Sequence, residues 1–182
     1  MGRIVLITGG TRSGKSSFGE SLLQDEKDVL YIATSKITDK EMEERVKRHR
    51  ERRPAEWDTY EGYRNLSGVI EERNEKFVFF ECVGTMVTNI LFDEDRDFDT
   101  IDKSALEAIE KDIKRELRSL VNCCKTQDKT LIIITNEVGM GLVSEYPLGR
   151  IFTDILGRVN QELGSLCSEA YFVACGIPLR LK

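Results

Sequence analysis

Short apolar runs alternate along this chain with longer stretches in which apolar residues recur every three or four positions. Ile4 to Thr8, Val29 to Ala33, Phe77 to Glu81, Leu131 to Thr135 and Tyr171 to Cys175 are mostly apolar and rich in β-branched or aromatic residues. Runs of this kind predict parallel strands buried on both faces. Helical spacing fills the gaps, over Ser16 to Leu23, Asp39 to Arg52, Gly84 to Phe92, Ala105 to Cys124 and about Leu148 to Leu166. Strands that alternate with helices predict an α/β fold, a mostly parallel central sheet with helices on both faces. Leu131 to Ile134 is the most apolar strand and is expected at the sheet's centre. The tail Ile177 to Leu181 is expected to pair back on Tyr171 to Cys175 as a closing hairpin.

Composition adds boundaries to this picture. A chain of 182 residues, 40% of them hydrophobic and without repeats or low-complexity linkers, fits one domain over residues 1–182. The N-terminus enters a strand with no charged leader, and no apolar run approaches the ~18 residues of a spanning helix, which predicts a soluble protein without membrane insertion. Five cysteines, Cys82, Cys123, Cys124, Cys167 and Cys175, lack paired metal-ligand spacing, and the single histidine cannot complete a His-rich metal site. Reduced thiols in a cytoplasm are the expectation. Lys plus Arg is 27 against 32 for Asp plus Glu, so a net charge of −5 gives no overall attraction to nucleic acid. Any basic site is local. The acidic run Asp93 to Asp99 is expected to be a solvated loop.

Chemistry enters directly after the first strand. Gly9, Gly10, Thr11, Arg12, Ser13, Gly14, Lys15 and Ser16 fit the phosphate-loop pattern G-x-x-x-x-G-K-[ST] at every fixed position, between a strand and a helix pattern. Backbone N–H groups of such a loop converge on phosphate oxygens, the lysine neutralises β/γ charge, and the hydroxyl can hold Mg²⁺. A P-loop NTPase-like fold that binds a nucleoside triphosphate is therefore expected. Ligands of open parallel sheets bind beyond the carboxyl ends of the strands. Those ends are polar here: Thr34, Ser35 and Lys36 after the second strand, Glu81 at the third, Asn136 and Glu137 after the fourth. No Asp ends an apolar strand to organise Mg²⁺, so Glu81 is the first substitute and Glu137 the second.

The segment Asp39 to Pro54 is the second unusual feature. Met42, Val46 and His49 share one helical face, so the only histidine lies on the apolar stripe of a strongly charged helix, among Arg45, Lys47, Arg48, Arg50, Arg52 and Arg53. A packed histidine on a solvated helix and a neutral nucleophile beside a polyphosphate-binding arginine cluster both fit that pattern.

Several longer motifs carry a resemblance that bears on both. GGTRSGKS at 9–16, YIATS at 31–35, DKEMEERVKRHRERRPAEWDTYE at 39–61, ECVGTMVTNILF at 81–92, TNEVGMGLV at 135–143 and GRVNQ at 157–161 together resemble the bifunctional adenosylcobinamide kinase/adenosylcobinamide-phosphate guanylyltransferases of cobalamin biosynthesis, over nearly the whole chain. The resemblance implies phosphorylation of adenosylcobinamide by ATP or GTP, then transfer of GMP from GTP to adenosylcobinamide phosphate. It implies a GMP-histidine intermediate, which only His49 can carry. It also implies a nucleotide site of Gly9 to Ser16, Thr34 to Lys36, Arg50, Glu51, Arg52, Arg53, Glu61 and Glu81, with Ser16 and Glu81 on the metal, and assembly as a homotrimer. A single-activity small-molecule kinase with a structural His49 is the alternative, and a nucleotide-dependent switch or ATPase-like module is a third reading.

Overall fold

The computed structural model describes residues 2–36, 40, 44, 47 and 54–182. Seven strands form one sheet: β1 (Ile4–Gly9), β2 (Val29–Ala33), β3 (Asp58–Glu61), β4 (Phe77–Glu81), β5 (Thr130–Ile134), β6 (Glu169–Ala174) and β7 (Ile177–Arg180), in the order β3-β2-β4-β5-β1-β6-β7. Every pairing is parallel except β6 with β7. The most apolar run, now β5, is the middle strand, as its composition requires. Cys175 and Gly176, both at positive φ (53° and 79°), make the two-residue turn of the closing hairpin, the conformation that matches strand twist.

Alternating side chains of the buried strands sort the helices onto two faces. Val5, Ile7, Tyr31, Phe79, Ile132 and Ile134 form one cluster with Leu23, under α1 (Lys15–Ser21). Ile4, Leu6, Ile32, Phe80 and Ile133 join the opposite, larger cluster. It is covered by α2 (Leu66–Glu71), α3 (Val83–Leu91), α4 (Lys103–Thr126) and α5 (Pro147–Leu166). Helix α4 shows how its sequence fixes it: the Asp102 side chain caps its start by accepting from Ala105 N at 2.8 Å. Its stripe Ile109, Ile113, Leu117, Leu120, Val121 and Cys124 is buried.

Two elements were not expected from the pattern. Strand β3 reads DTYE and is largely exposed, because it is an edge strand whose pairing is carried by backbone bonds to β2 rather than by an apolar run. Helix α2 has six residues, too few for a periodic stripe. The acidic run is mostly exposed as expected, yet Asp93 at its start is engaged: it accepts from Tyr63 Oη at 2.6 Å and pairs with Arg64 at 2.9 Å. Within the expected helix at 39–52, the described Lys40, Glu44 and Lys47 are helical and exposed. His49 and its arginine neighbours lie outside the described residues.

Candidate active site

The phosphate-loop residues form a tight connection whose shape depends on glycine at two places. A Cβ on Gly9 would stand 2.3 Å from Val173 O, and Gly14 has φ 100° with a Cβ position only 3.1 Å from Gly176 Cα. Side chains are excluded at both. Ser13 O accepts from Gly176 N at 2.8 Å, so the hairpin turn of β6 and β7 buttresses the loop. Lys15 opens α1 and is buried, its Nζ donating to Gly10 O at 2.6 Å.

Helix α1 then places Ser16 against Glu81. Gly19 packs so closely on the sheet that a Cβ would lie 2.8 Å from Phe79 Cε2 and 3.0 Å from Ile134 Cδ1. The helix thus lies across β4 and β5, although its loop springs from β1. Strands β1 and β4 are not neighbours; β5 lies between them, a separation of roughly 10 Å at ~4.8 Å per strand. Ser16 Oγ reaches across this gap to donate to Glu81 Oε1, while Tyr31 Oη donates to Glu81 Oε2 at 2.5 Å.

Thr34 ties the next connection to the same point. Its hydroxyl accepts from Cys82 N at 2.9 Å and lies 2.9 Å from Cys82 O, and its own backbone N donates to Glu81 O at 2.9 Å. Asn89 Nδ2 of α3 donates to Thr34 O at 2.5 Å. The Glu81–Cys82 peptide is cis, and the Cys82 side chain caps α3 by accepting from Thr85 N. Burial raises the Cys82 thiol's pKa, which leaves it a structural cap rather than a thiolate.

Residues 5–181 match the CobU family, described as cobinamide kinase / cobinamide phosphate guanyltransferase. The chain belongs to this family. Over 181 residues it is 44% identical to "Bifunctional adenosylcobalamin biosynthesis protein CobU" of Escherichia coli (strain K12), covering 98% of this chain and 99% of that one. The protein of the same name from Salmonella typhimurium (strain LT2) is 41% identical with the same coverage. "Bifunctional adenosylcobalamin biosynthesis protein CobP" of Pseudomonas aeruginosa (strain PAO1) is 31% identical over 180 residues, 97% of this chain and 96% of that one.

In this CobU-family chain, then, the structure brings together Gly9 to Ser16, Thr34 and Glu81, with Tyr31 as an unanticipated member. A buried tyrosine hydroxyl needs a polar partner, and that was the available signal. Lys36 and Glu61 stand farther along the carboxyl edge. Lys36 is exposed, with Nζ 4.6 Å from the Tyr63 ring centroid and 3.6 Å from Asp93 Oδ1. Glu61 ends β3, level with Ala33. Arg50, Glu51, Arg52, Arg53 and His49 lie outside the described residues. Glu137, the second candidate acid, turns to its own loop: Oε1 accepts from Gly139 N at 2.7 Å, and its backbone N donates to Gly9 O at 3.0 Å. Burial lowers the Lys15 ammonium's pKa, against the opposing pull of Cys82 and Glu81. Among the described residues no helix is long and apolar enough to cross a membrane.

Proposed function

We propose that this chain performs both reactions of its family's description in sequence, as a cytoplasmic homotrimer. It phosphorylates the hydroxyl of adenosylcobinamide with ATP or GTP, and then transfers GMP from GTP to give adenosylcobinamide-GDP and pyrophosphate. The observation that carries the reading is the bond from Ser16, directly after the phosphate loop's buried Lys15, to Glu81 at the carboxyl edge of the sheet.

In the kinase step the loop's backbone N–H groups and Lys15 hold the terminal phosphates in line with the acceptor hydroxyl, which is most of what phosphoryl transfer asks of a protein. In the guanylyl step the neutral imidazole of His49 attacks the α-phosphorus of GTP. A P–N bond forms, the α–β P–O bond breaks, and pyrophosphate leaves into the same cradle. The acceptor's phosphate oxygen then displaces the imidazole and takes the GMP. Thr34 to Lys36, Arg50 to Arg53 and Glu61 are assigned to the nucleotide.

The donor set fits Mg²⁺. Ser16 and Glu81 present a hydroxyl and a carboxylate in contact, and no group of three or more His, Cys, Asp or Glu side chains among the described residues forms an all-protein cage. Mg²⁺ commonly takes one or two protein oxygens and completes its shell with phosphates and water. When bound it neutralises charge on the phosphate oxygens.

Incubating the purified chain with adenosylcobinamide, GTP and Mg²⁺ tests the reading by product analysis. Adenosylcobinamide phosphate should appear first, followed by adenosylcobinamide-GDP and one pyrophosphate for each. Accumulation of the phosphate alone would leave a single-activity kinase with a structural His49.

A further inference from the structure

Asn136 stands two residues beyond the end of β5, the strand that separates the phosphate-loop strand β1 from the Glu81 strand β4. Ile134 is level with Ile7 on one side and with Glu81 on the other. Asn136 therefore rises at the rim between Gly9 and Val83. Its backbone is held on both sides. Asn160 Nδ2 of α5 donates to Asn136 O at 3.0 Å, and the next residue's N, that of Glu137, donates to Gly9 O at 3.0 Å. Asn160 is oriented in turn, because its Oδ1 accepts from the buried Thr135 hydroxyl at 2.7 Å.

The Asn136 side chain differs from this well-bonded backbone. It is half-buried, its nitrogen lies 3.3 Å from the point where a Cβ on Gly84 would stand, and among the described residues its amide makes no hydrogen bond. The amide projects from a backbone held on both sides, at the rim between the phosphate-loop strand and the Glu81 strand, and its donors are left for a ligand oxygen.

We propose that Asn136 Nδ2 donates to a non-bridging oxygen of the phosphoryl group as it passes from the nucleotide to its acceptor, and that Asn160 is the residue that positions it. This rests on the kinase reading above. The bond from the terminal phosphorus to the β-phosphate's bridging oxygen breaks, a bond to the acceptor's hydroxyl oxygen forms, and the hydroxyl proton goes to solvent. Asn136 is unchanged. Charge sits on the three equatorial oxygens during that passage. Lys15 meets it from the β1 side and the Ser16–Glu81 pair from under α1. Asn136 supplies a neutral donor from the β5 rim, on a backbone that Asn160 and the Glu137–Gly9 bond hold in place.

Steady-state kinase kinetics with ATP and adenosylcobinamide, beside calorimetric binding of a non-transferable ATP analogue, test this. Asn136→Ala should lower kcat by about 10²–10³, the scale of one lost oxyanion donor, while analogue Kd stays within about fivefold. Asn160→Ala should lower kcat by less, again with Kd nearly unchanged, as a positioning role requires. Should Asn136→Ala fold poorly by thermal melting, Asn136→Leu, nearly isosteric and uncharged but without the donor, should show the same loss. Kinase kcat within about threefold of wild type, or kcat and Kd worsening in proportion, overturns the assignment. A wild-type chain that does not phosphorylate adenosylcobinamide overturns the kinase reading and this inference together; an active wild type matched by its variant overturns this inference alone.

Discussion

Two lysines are buried among the described residues, Lys15 and Lys129, and they lie at opposite ends of the same sheet. Lys129 precedes β5 at the amino edge, where its ammonium donates to Arg73 O at 2.7 Å and Glu75 O at 2.9 Å, tying β5 to the connection that enters β4. That edge is closed by similar bonds, Arg3 with Glu169 at 2.6 Å and Lys182 Nζ with Cys167 O at 2.7 Å among them. Lys15 at the carboxyl edge has a single backbone acceptor and a depressed pKa. Burial alone does not mark a functional lysine. What separates the two is whether the fold already uses the charge.

The largest effect that sharpens this contrast is on Lys15. Lys15→Met should lower both the kinase and the guanylyl step by about 10²–10³, or ~2.7–4 kcal/mol of transition-state stabilisation. The same variant should melt no lower than wild type at neutral pH. The folded-state pKa of Lys15 lies below its unfolded value. Its charge therefore costs stability below the folded pKa, and the cost fades as pH rises through that value toward the unfolded ~10.4. A kinase rate within a few-fold of wild type, or a clear drop in melting temperature, would break the contrast from the Lys15 side.

Lys129→Met should do the reverse. Two carbonyls lose their donor, which costs about 1–3 kcal/mol of stability by denaturant titration, while turnover per folded molecule stays at the wild-type level. A variant as stable as wild type but impaired in turnover would mean that the amino edge takes part in the chemistry.

The smallest effect concerns Glu81. Ser16 donates to one of its oxygens and Tyr31 to the other, and the role proposed for it is at the metal. Glu81→Gln should raise the Mg²⁺ needed for half-maximal activity by several-fold with ATP and GTP alike. A loss confined to GTP would assign it to nucleoside recognition instead.

The strand order's centre, the hairpin and the phosphate loop were all legible in sequence, because each depends on local pattern: an unbroken apolar run, a Gly turn, a fixed glycine spacing. Strand β3 and helix α2 were not, since an exposed edge strand and a six-residue helix bury too little to leave a periodic mark. The site divides in the same way. Lys15, Ser16 and Glu81 announce themselves by position after strands. Tyr31, hidden inside the apolar run of β2, and the Asn160 bond that holds Asn136 depend on contacts between distant segments. Glu137, ranked second to Glu81 from the sequence, turns its side chain to its own loop.

Intact mass after incubation with GTP and Mg²⁺ tests the two-reaction account most directly. The wild-type chain should gain one guanylyl group through a bond that survives base and is lost in acid, and His49→Ala should gain none while retaining at least part of its kinase activity. A wild-type chain that gains no mass, or an adduct that persists at the wild-type level in His49→Ala, would contradict it.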